Sequence, residues 1–241
     1  MKNAYVTGAN RGLGLALAER LLELGYNVFA GSYIPDCEEL QDLSAKHGNA
    51  LNVVQLDISD SDSVNKAAAE ISKKTDSLNL LINNAGIAPL RDREATILND
   101  IDCDEIIQAF DINAVGTLRV TKSVLPLLLK PQDKRLVNIT SVAASVGLCT
   151  RSSQYAYTMS KAASNMQTKL IYNTFNKEGL KVFALHPGWM HTRLFGDSLD
   201  LMKGAPFEPE DSAKFILEFV LNAEQNDDHI FFNYDGTPMA Y

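Results

Sequence analysis

The chain has 241 residues, and its 22 lysines and arginines against 30 aspartates and glutamates give a formal net charge of −8. Hydrophobic residues make up 46% of the sequence and charged residues 22%, which is typical of a globular protein with a large core and excludes a disordered chain. The acidic balance, with an isoelectric point of about 5.0, argues against nucleic acid or an anionic membrane as a partner.

Short apolar runs alternate with amphipathic stretches along the chain. The runs predict strands at Ala4–Val6, Asn27–Ala30, Leu51–Leu56, Leu78–Ile82, Leu136–Ile139, Val182–Leu185 and His229–Phe232. The amphipathic stretches predict helices at Leu13–Leu24, Ser61–Lys74, Ile106–Leu129, Tyr157–Asn176 and Asp211–Ala223. Strict alternation with right-handed crossovers predicts one α/β domain over residues 1–241. We expect a doubly wound, Rossmann-type, seven-stranded parallel sheet with helices on both faces.

Two irregular stretches interrupt this alternation. The first, Pro89–Asp104, contains Arg91-Asp-Arg-Glu94, which we expect to be a solvated charge run, with a substrate clamp as the alternative. The second, residues 188–210, is apolar and is predicted to be a substrate lid. The alternative is a loop that packs against the domain and binds no ligand. Its apolar residues are Trp189, Met190, Leu194, Phe195, Leu199 and Met202.

Cysteine and histidine usage indicates a reduced, metal-free protein. Cys37, Cys103 and Cys149 are widely spaced without a CxxC pair, as in cytoplasmic proteins, and the four histidines lack metal-ligand spacing. The longest near-apolar run, Val124–Leu129, is far shorter than the ~18 residues of a membrane span, and the N-terminus lacks the apolar stretch of a signal peptide. We therefore expect a cytoplasmic protein without a membrane partner.

A glycine-rich loop, Thr7-Gly8-Ala9-Asn10-Arg11-Gly12-Leu13-Gly14, joins the first strand to the first helix. Gly8 would permit a tight turn, Gly12 a close approach to a pyrophosphate, and Gly14 the packing of the helix on the sheet. The helix N-terminus adds free amide donors and a positive dipole, which stabilise an anion. The loop therefore predicts a phosphate site, with a glycine-rich turn that binds nothing as the alternative.

The spacing of these glycines, GxxxGxG, differs from the GxGxxG of most dinucleotide folds. It resembles that of the short-chain dehydrogenases/reductases, single-domain doubly wound proteins that bind NAD(H) or NADP(H). The resemblance implies that the loop contacts the cofactor through Gly8, Asn10, Arg11, Gly12, Leu13 and Gly14.

The end of the second strand favours NADP(H) over NAD(H). An acidic residue there would bind the ribose 2′-hydroxyl and repel a 2′-phosphate, but Gly31-Ser32-Tyr33 follows the strand with no carboxylate before Asp36. Arg11 can reach the same region as a cation, unless it is only a solvated surface charge. Ser32 and Tyr33 are expected beside the 2′-phosphate, although many NADP-dependent relatives carry arginine where Tyr33 stands.

Two further segments match the family after the third and fourth strands. Asp57 resembles the aspartate that hydrogen-bonds the adenine, with Ile58 beside the ring. Asn83-Asn84-Ala85-Gly86 matches the NNAG segment, so we expect Asn84, Ala85 and Gly86 at the carboxyl edge of the sheet, where ligands of such sheets bind. Taken alone, Asp57 could be a helix cap and the NNAG segment a turn.

Tyr157 and Lys161 lie four positions apart in a predicted helix, so their side chains share one face. Carbonyl reduction delivers hydride to carbon while an acid protonates the developing alkoxide. Tyrosine, with a pKa of ~10, suits this task and needs a nearby cation to act as the base in the reverse direction. Lys161 would supply that charge, and in the family it also holds the nicotinamide ribose. An exposed helix pair is the alternative.

Ser141 and Asn113 complete the family's tetrad. Ser141 follows the fifth strand and would donate a hydrogen bond where charge develops on the substrate oxygen. Asn113 matches the structural asparagine that helps a water join Lys161 to solvent. The segment between Ser141 and Tyr157 is longer than in many relatives, and its extra residues are expected to form a loop at the site mouth around Cys149–Ser153. Taken singly, Ser141 could be a turn residue and Asn113 a polar spot in a helix.

The segment after the sixth strand also follows the family. In relatives a Pro-Gly turn, here Pro187 and Gly188, ends that strand, and a threonine at the position of Thr192 binds the nicotinamide carboxamide. Met190 is expected to contact the cofactor, and Trp189 to belong to the lid. With the tail Asn233–Met239, this segment looks most like the carbonyl-reductase branch, related to sniffer and the C-factor proteins.

The sequence therefore predicts an oxidoreductase that transfers hydride between NADP(H) and a small carbonyl or alcohol substrate. An NADP(H)-sensing regulator with little turnover is the alternative, and a methyltransferase is a third, weaker one. Because relatives commonly pair through the helices around Tyr157 and the fourth helix, a homodimer or homotetramer is expected.

Overall fold

The computed structural model describes residues 1–194, 202–225 and 227–241. Seven strands form a sheet in this part of the chain: β1 (Asn3–Thr7), β2 (Asn27–Ser32), β3 (Leu51–Gln55), β4 (Leu80–Asn83), β5 (Lys134–Ile139), β6 (Leu180–His186) and β7 (Phe231–Asn233). All neighbours are parallel, in the order β3-β2-β1-β4-β5-β6-β7. The predicted doubly wound parallel sheet is confirmed.

Helices cover both faces of the sheet. They are α1 (Gly12–Glu23), α2 (Glu38–His47), α3 (Ser61–Lys74), α4 (Cys103–Phe110), α5 (Thr117–Leu128), α6 (Tyr155–Phe175) and α7 (Pro209–Asn222). One core cluster contains apolar side chains of α1, α2 and α7, and a second contains those of α3, α5 and α6. Strand β1 contributes side chains to both clusters, because Ala4 and Val6 belong to the first cluster and Tyr5 to the second.

Helix α2 was missed by the sequence prediction. Its segment is polar, and only Leu40 and Leu43 are buried, so the apolar stripe is too narrow to indicate a helix. Several strand ends also differ by one or two residues from the prediction. The last strand, for example, was predicted at His229–Phe232 and lies at Phe231–Asn233.

The long helix predicted at Ile106–Leu129 is interrupted. Helices α4 and α5 are separated by a π-helical turn at Asp111–Gly116. Two side chains stabilise this turn, because the hydroxyls of Thr117 and Ser164 both donate to the carbonyl oxygen of Asn113, at 2.9 and 2.8 Å. Such turns are frequent at functional sites.

Strand order determines where the site can form. The chain runs outward from β1 through β2 to β3, and then returns to the other side of β1 to form β4. The loops after β1 and β4 therefore diverge, and the carboxyl edge between them opens into a crevice. No helix in the described part of the chain has both the length and the apolar character needed to cross a membrane.

Candidate active site

A cavity of about 870 Å³ lies at the carboxyl edge of the sheet. Its wall contains most of the residues that the sequence singled out, while Gly14, Ser32 and Asn113 do not line it. The predicted residues that do are Gly8, Asn10, Arg11, Gly12, Leu13, Tyr33, Asp57, Ile58, Asn84, Ala85, Gly86, Ser141, Tyr157, Lys161, Pro187, Gly188, Met190 and Thr192.

The glycine loop adopts a backbone that side chains would disturb. Gly8 has a φ of +66°, and a Cβ there would lie 2.9 Å from the Cα of Ala85. A Cβ at Gly14 would collide with the carbonyl oxygen of Gly8, so Gly14 permits the packing of loop and helix rather than touching a ligand. Gly12, at a φ of +54°, faces the side chain of Thr192 and is otherwise open among the described residues.

Asn84 ties this loop to the end of β4. Its side-chain amide donates to the carbonyl oxygens of Thr7 and Gly8, at 3.0 and 3.3 Å. The Thr7 hydroxyl in turn accepts the backbone amides of Asn84 and Ala85, at 3.0 and 3.1 Å. The amide of Asn84 is thus used within the protein, and it holds the glycine loop in shape before any ligand arrives.

The expected contact of Ser32 with a 2′-phosphate needs correction. Its side chain is fully buried, and its hydroxyl accepts the backbone amide of Ile34 at 3.0 Å. Tyr33 and Ile34 line the cavity at this end instead, and Arg11 lies in the same wall.

Asp57 also lines this end of the cavity, and it is not a helix cap. One carboxylate oxygen of Asp57 accepts the amide and the hydroxyl of Ser59, at 2.9 and 2.6 Å. The N-terminus of α3 is capped by Asp60, which accepts the amide of Asp62. The alternative interpretation of Asp57 as a cap is therefore wrong.

Tyr157, Lys161 and Ser141 meet at the other end of the cavity. Tyr157 and Lys161 lie one turn apart on α6, and the Lys161 ammonium is 5.8 Å from the centre of the Tyr157 ring. The ammonium donates to the carbonyl oxygen of Ile139, the last residue of β5, at 2.9 Å. A Cβ at Gly86 would lie 2.9 Å from the side-chain oxygen of Asn113, so Gly86 leaves room for the Asn113 side chain beside Lys161. All three side chains are buried.

Burial shifts the pKa values of these groups in opposite directions. Burial raises the pKa of the Tyr157 hydroxyl above its usual value, although a hydrogen bond with Ser141 and the positive charge of Arg151 act against it. Burial lowers the pKa of Lys161 to about 8. Nearby His186, in the same wall, has its pKa lowered to about 4 by burial and by Arg151. Tyr157 is therefore protonated at neutral pH and can donate a proton.

Asn113 positions other groups from outside the cavity. Its side-chain oxygen accepts the amide of Ile87 at 2.8 Å, and its side-chain nitrogen donates to the Ile87 carbonyl and to the Ser160 hydroxyl, at 2.8 and 2.9 Å. It thereby joins the loop after β4 to the π-helical turn and to α6. The water relay expected of Asn113 stays a prediction.

The run Arg91-Asp-Arg-Glu94 is not simply solvated, which corrects the sequence interpretation. Asp92 is buried and accepts backbone amides at the start of α6, and Arg93 lines the cavity. The run forms only a short 3₁₀ turn at Arg91–Arg93 and lies more than sixty residues before α6, so its spacing could not reveal these contacts. Arg151, from the expected loop at the site mouth, also lines the cavity.

The predicted lid is described in part. Trp189 is half exposed, whereas Met190 is buried. Leu194 and Met202 both line the cavity. Phe195 and Leu199 lie outside the described residues. Among the described residues, no group of three or more histidine, cysteine, aspartate or glutamate side chains could hold a metal ion.

Known proteins resemble this chain over most of its length. A family model described as short chain dehydrogenase matches residues 2–201. An uncharacterized oxidoreductase of Schizosaccharomyces pombe is 32% identical over 250 residues, covering 98% of this chain and 97% of that protein. The C-signal protein of Myxococcus xanthus is 35% identical over 167 residues, covering 69% of this chain and 95% of its own.

Solved structures of carbonyl reductases share the fold. The carbonyl reductase Sniffer of D. melanogaster superposes with a TM-score of 0.89 at 31% identity, covering 100% of both chains. An NADPH-bound carbonyl reductase from chicken fatty liver gives a TM-score of 0.87 at 31% identity, covering 100% of this chain and 94% of that one. The glycine loop, the NNAG segment and the tyrosine–lysine pair all lie within the span of these matches. The chain therefore belongs to the short chain dehydrogenase family of oxidoreductases.

Proposed function

We propose that this chain is an NADP(H)-dependent oxidoreductase that interconverts a small-molecule carbonyl compound and its alcohol. The observation that carries the proposal is the burial of Tyr157, Lys161 and Ser141 at one end of a cavity whose other end is the glycine loop. The resemblance to carbonyl reductases, one of them solved with NADPH bound, supports the same reaction.

The residues of the loop fit a dinucleotide. Helix α1 begins at Gly12 without a side-chain cap and has no acidic residue in its first turn, so its first amides need an acceptor. A pyrophosphate would accept those amides and match the positive end of the helix dipole. The surface of Gly12 is open to such a ligand, as described above. Asp57 and Ile58 would contact the adenosine end, and Thr192 and Met190 the nicotinamide end.

Each catalytic side chain has a distinct task in this reaction. NADPH, when bound, would supply the hydride that adds to the carbonyl carbon. Ser141 donates a hydrogen bond to the carbonyl oxygen, which strengthens as negative charge develops there. Tyr157 gives its proton to that oxygen, and the Lys161 ammonium stabilises the tyrosinate left behind. Asn113 acts indirectly, by holding Ile87 and Ser160. Residues around 188–210 act as a lid, which is supported by the position of Leu194 and Met202 in the cavity wall.

Replacement of Tyr157 by phenylalanine should abolish turnover and leave NADPH binding intact. The proton donor is lost while the ring still fills its space, so we expect kcat to fall by about 10²–10⁴-fold. The measurement is NADPH oxidation across a panel of aldehydes, ketones and quinones, with NADPH binding followed by fluorescence. Tyr155→Phe is the matched control and should keep kcat within about twofold, because Tyr155 does not line the cavity. Near-normal turnover of Tyr157→Phe, or a wild type that binds NADPH and reduces no member of the panel, contradicts the proposal.

Replacement of Arg11 by alanine should weaken NADPH binding selectively. Arg11 and Tyr33 line the same cavity, and the proposal places the 2′-phosphate within reach of Arg11. A charged hydrogen bond to phosphate corresponds to about 10–100-fold in affinity. We expect the Kd for NADPH to rise by that factor and the Kd for NADH to change little. Arg20→Ala, at the far end of α1, is the control and should leave both constants unchanged. An equal effect of Arg11→Ala on both nucleotides would refute the assignment.

Replacement of Lys161 by methionine should stabilise the cofactor-free protein while removing activity. The pKa of Lys161 is lowered from 10.5 to about 8, so below pH 8 the folded protein carries a buried charge that the unfolded chain solvates. The free energy of unfolding at pH 7 should rise by roughly 3 kcal/mol, and the gain should shrink between pH 8 and 10.5 as the native lysine loses its proton. Chemical denaturation across this range measures it. Lys66→Met, at an exposed site on α3, is the control; a destabilised Lys161→Met at pH 7 would contradict the expectation.

A homodimer or homotetramer through α4, α5 and α6 is also proposed. Large apolar side chains are exposed on these neighbouring helices, which is typical of a buried interface. We expect a mass in solution of at least twice the 26.5 kDa chain, and Met166→Glu with Leu170→Glu should reduce it to one chain. Leu98→Glu, outside these helices, is the control. A monomeric wild type would overturn this proposal. The exposed residues are Ile107, Phe110, Leu118, Met159, Met166 and Leu170.

A further inference from the structure

The helix that carries Tyr157 has no cap of its own. Its N-cap residue, Gln154, has a left-handed backbone with a φ of +68° and contributes no side-chain hydrogen bond, and the first turn of α6 holds no acidic residue. The first amides of a helix have no partner within the helix and need an acceptor when they are buried. Tyr157 itself lies in this first turn. How this turn is held therefore decides where the Tyr157 hydroxyl points.

Asp92 supplies the missing acceptors from a distant part of the chain. One carboxylate oxygen accepts the amide of Ala156 at 2.9 Å, and the other accepts the amide of Tyr157 at 3.0 Å. The backbone carbonyl of Asp92 also accepts the amide of Gln154, at 2.9 Å. Asp92 is only 5% exposed, so water does not compete freely for these bonds. A carboxylate matches the positive end of the helix dipole and has an oxygen for each of the two amides.

The loop that carries Asp92 is itself held to the site. Ile87, near the start of this loop, exchanges two backbone hydrogen bonds with the side chain of Asn113. Asn113 also donates to Ser160, one turn after Tyr157 on α6. The segment after β4 is therefore attached to α6 directly through Asp92 and indirectly through Asn113, on either side of the Tyr157 backbone.

We propose that Asp92 is a positioning residue for Tyr157: its carboxylate fixes the first turn of α6 so that the tyrosine hydroxyl stays at the cavity wall. The inference rests on the proposed reductase function, because Tyr157 is the acid of that reaction. Asp92 does not line the cavity and needs no contact with substrate or cofactor.

The proposal predicts a loss of kcat without a loss of cofactor affinity. In Asp92→Ala both amides lose their acceptor and the turn can shift, and a displacement of about 1 Å at a reacting group can lower the rate about 10²-fold. We expect kcat to fall at least about tenfold, while the Kd for NADPH stays within about twofold because the glycine loop is untouched. Asp92→Asn keeps one acceptor oxygen, so it should recover a large part of kcat. That conservative variant also serves if the alanine variant folds poorly.

Asp102→Ala is the matched control for the loss of a helix cap. Asp102 is the N-cap residue of α4, and one of its carboxylate oxygens accepts the amides of Asp104 and Glu105 at 2.9 and 3.3 Å. Helix α4 carries none of the four proposed catalytic side chains, so this variant should keep kcat within about twofold. An equal loss of kcat in Asp102→Ala would assign the effect to general destabilisation and overturn the proposal.

Hydrogen exchange of the cofactor-free protein gives a readout that is independent of turnover. The amides of Ala156 and Tyr157 should exchange faster in Asp92→Ala than in the wild type, while those of β5 should not change. The proposal is overturned if exchange at these two amides is unchanged, or if the kcat of Asp92→Ala stays within twofold of the wild type. It is also overturned if the fall in kcat is explained by a smaller number of NADPH-binding sites. A wild type without carbonyl reduction would instead remove the proposed function, and faster exchange would still establish the anchor.

Discussion

The buried ammonium of Lys161 is the constraint around which the site is built. Taking a cation out of water is unfavourable unless hydrogen bonds and opposite charge replace the lost solvation. In the described part of the chain the ammonium has one acceptor, the carbonyl at the end of β5, and its pKa is lowered to about 8. The site thus holds a charge that its own protein atoms stabilise incompletely. The ribose hydroxyls of a bound cofactor and a tyrosinate at Tyr157 would both supply the missing stabilisation. The buried ammonium of Lys161 would therefore favour both cofactor binding and proton transfer from Tyr157.

The relative positions of Tyr157, Lys161 and Ser141 depend on residues that do not line the cavity. The ammonium and the tyrosine hydroxyl share one turn of α6, and the serine that faces them comes from the end of β5. Helix and strand are held in relation by contacts outside the cavity: the amide network of Asn113, the carboxylate of Asp92, and the π-helical turn that presents Asn113. A mutation at such a residue would be invisible in the cavity wall and still alter the chemistry.

Sequence reasoning succeeded where the governing interactions are local. The parallel sheet follows from alternating apolar runs and helices, and the pairing of Tyr157 with Lys161 follows from helical spacing. It failed where distant segments meet or where a pattern is weak. Ser32 is buried at the end of β2, where it pairs with Gln55 of β3. Asp92 accepts amides of a helix more than sixty residues away, and α2 has too few apolar residues to be recognised. The π-helical turn continues directly from α4 into α5 and differs from them in its backbone hydrogen bonds, so the sequence predicted residues 106–129 as one helix.

The two ends of the cavity are formed by different kinds of segment, and this difference affects which substitutions the protein can accept during evolution. The glycine loop at the nucleotide end is held by Thr7 and Asn84 and has no room for a Cβ at Gly8 or Gly14, so few substitutions in this loop preserve its shape. The opposite end is walled by side chains from loops outside the sheet, among them Arg93, Arg151 and Trp189. Such loops tolerate exchange of residues because the core does not depend on them. A lineage could therefore acquire new substrates by small steps at one end while inheriting its nucleotide chemistry unaltered at the other.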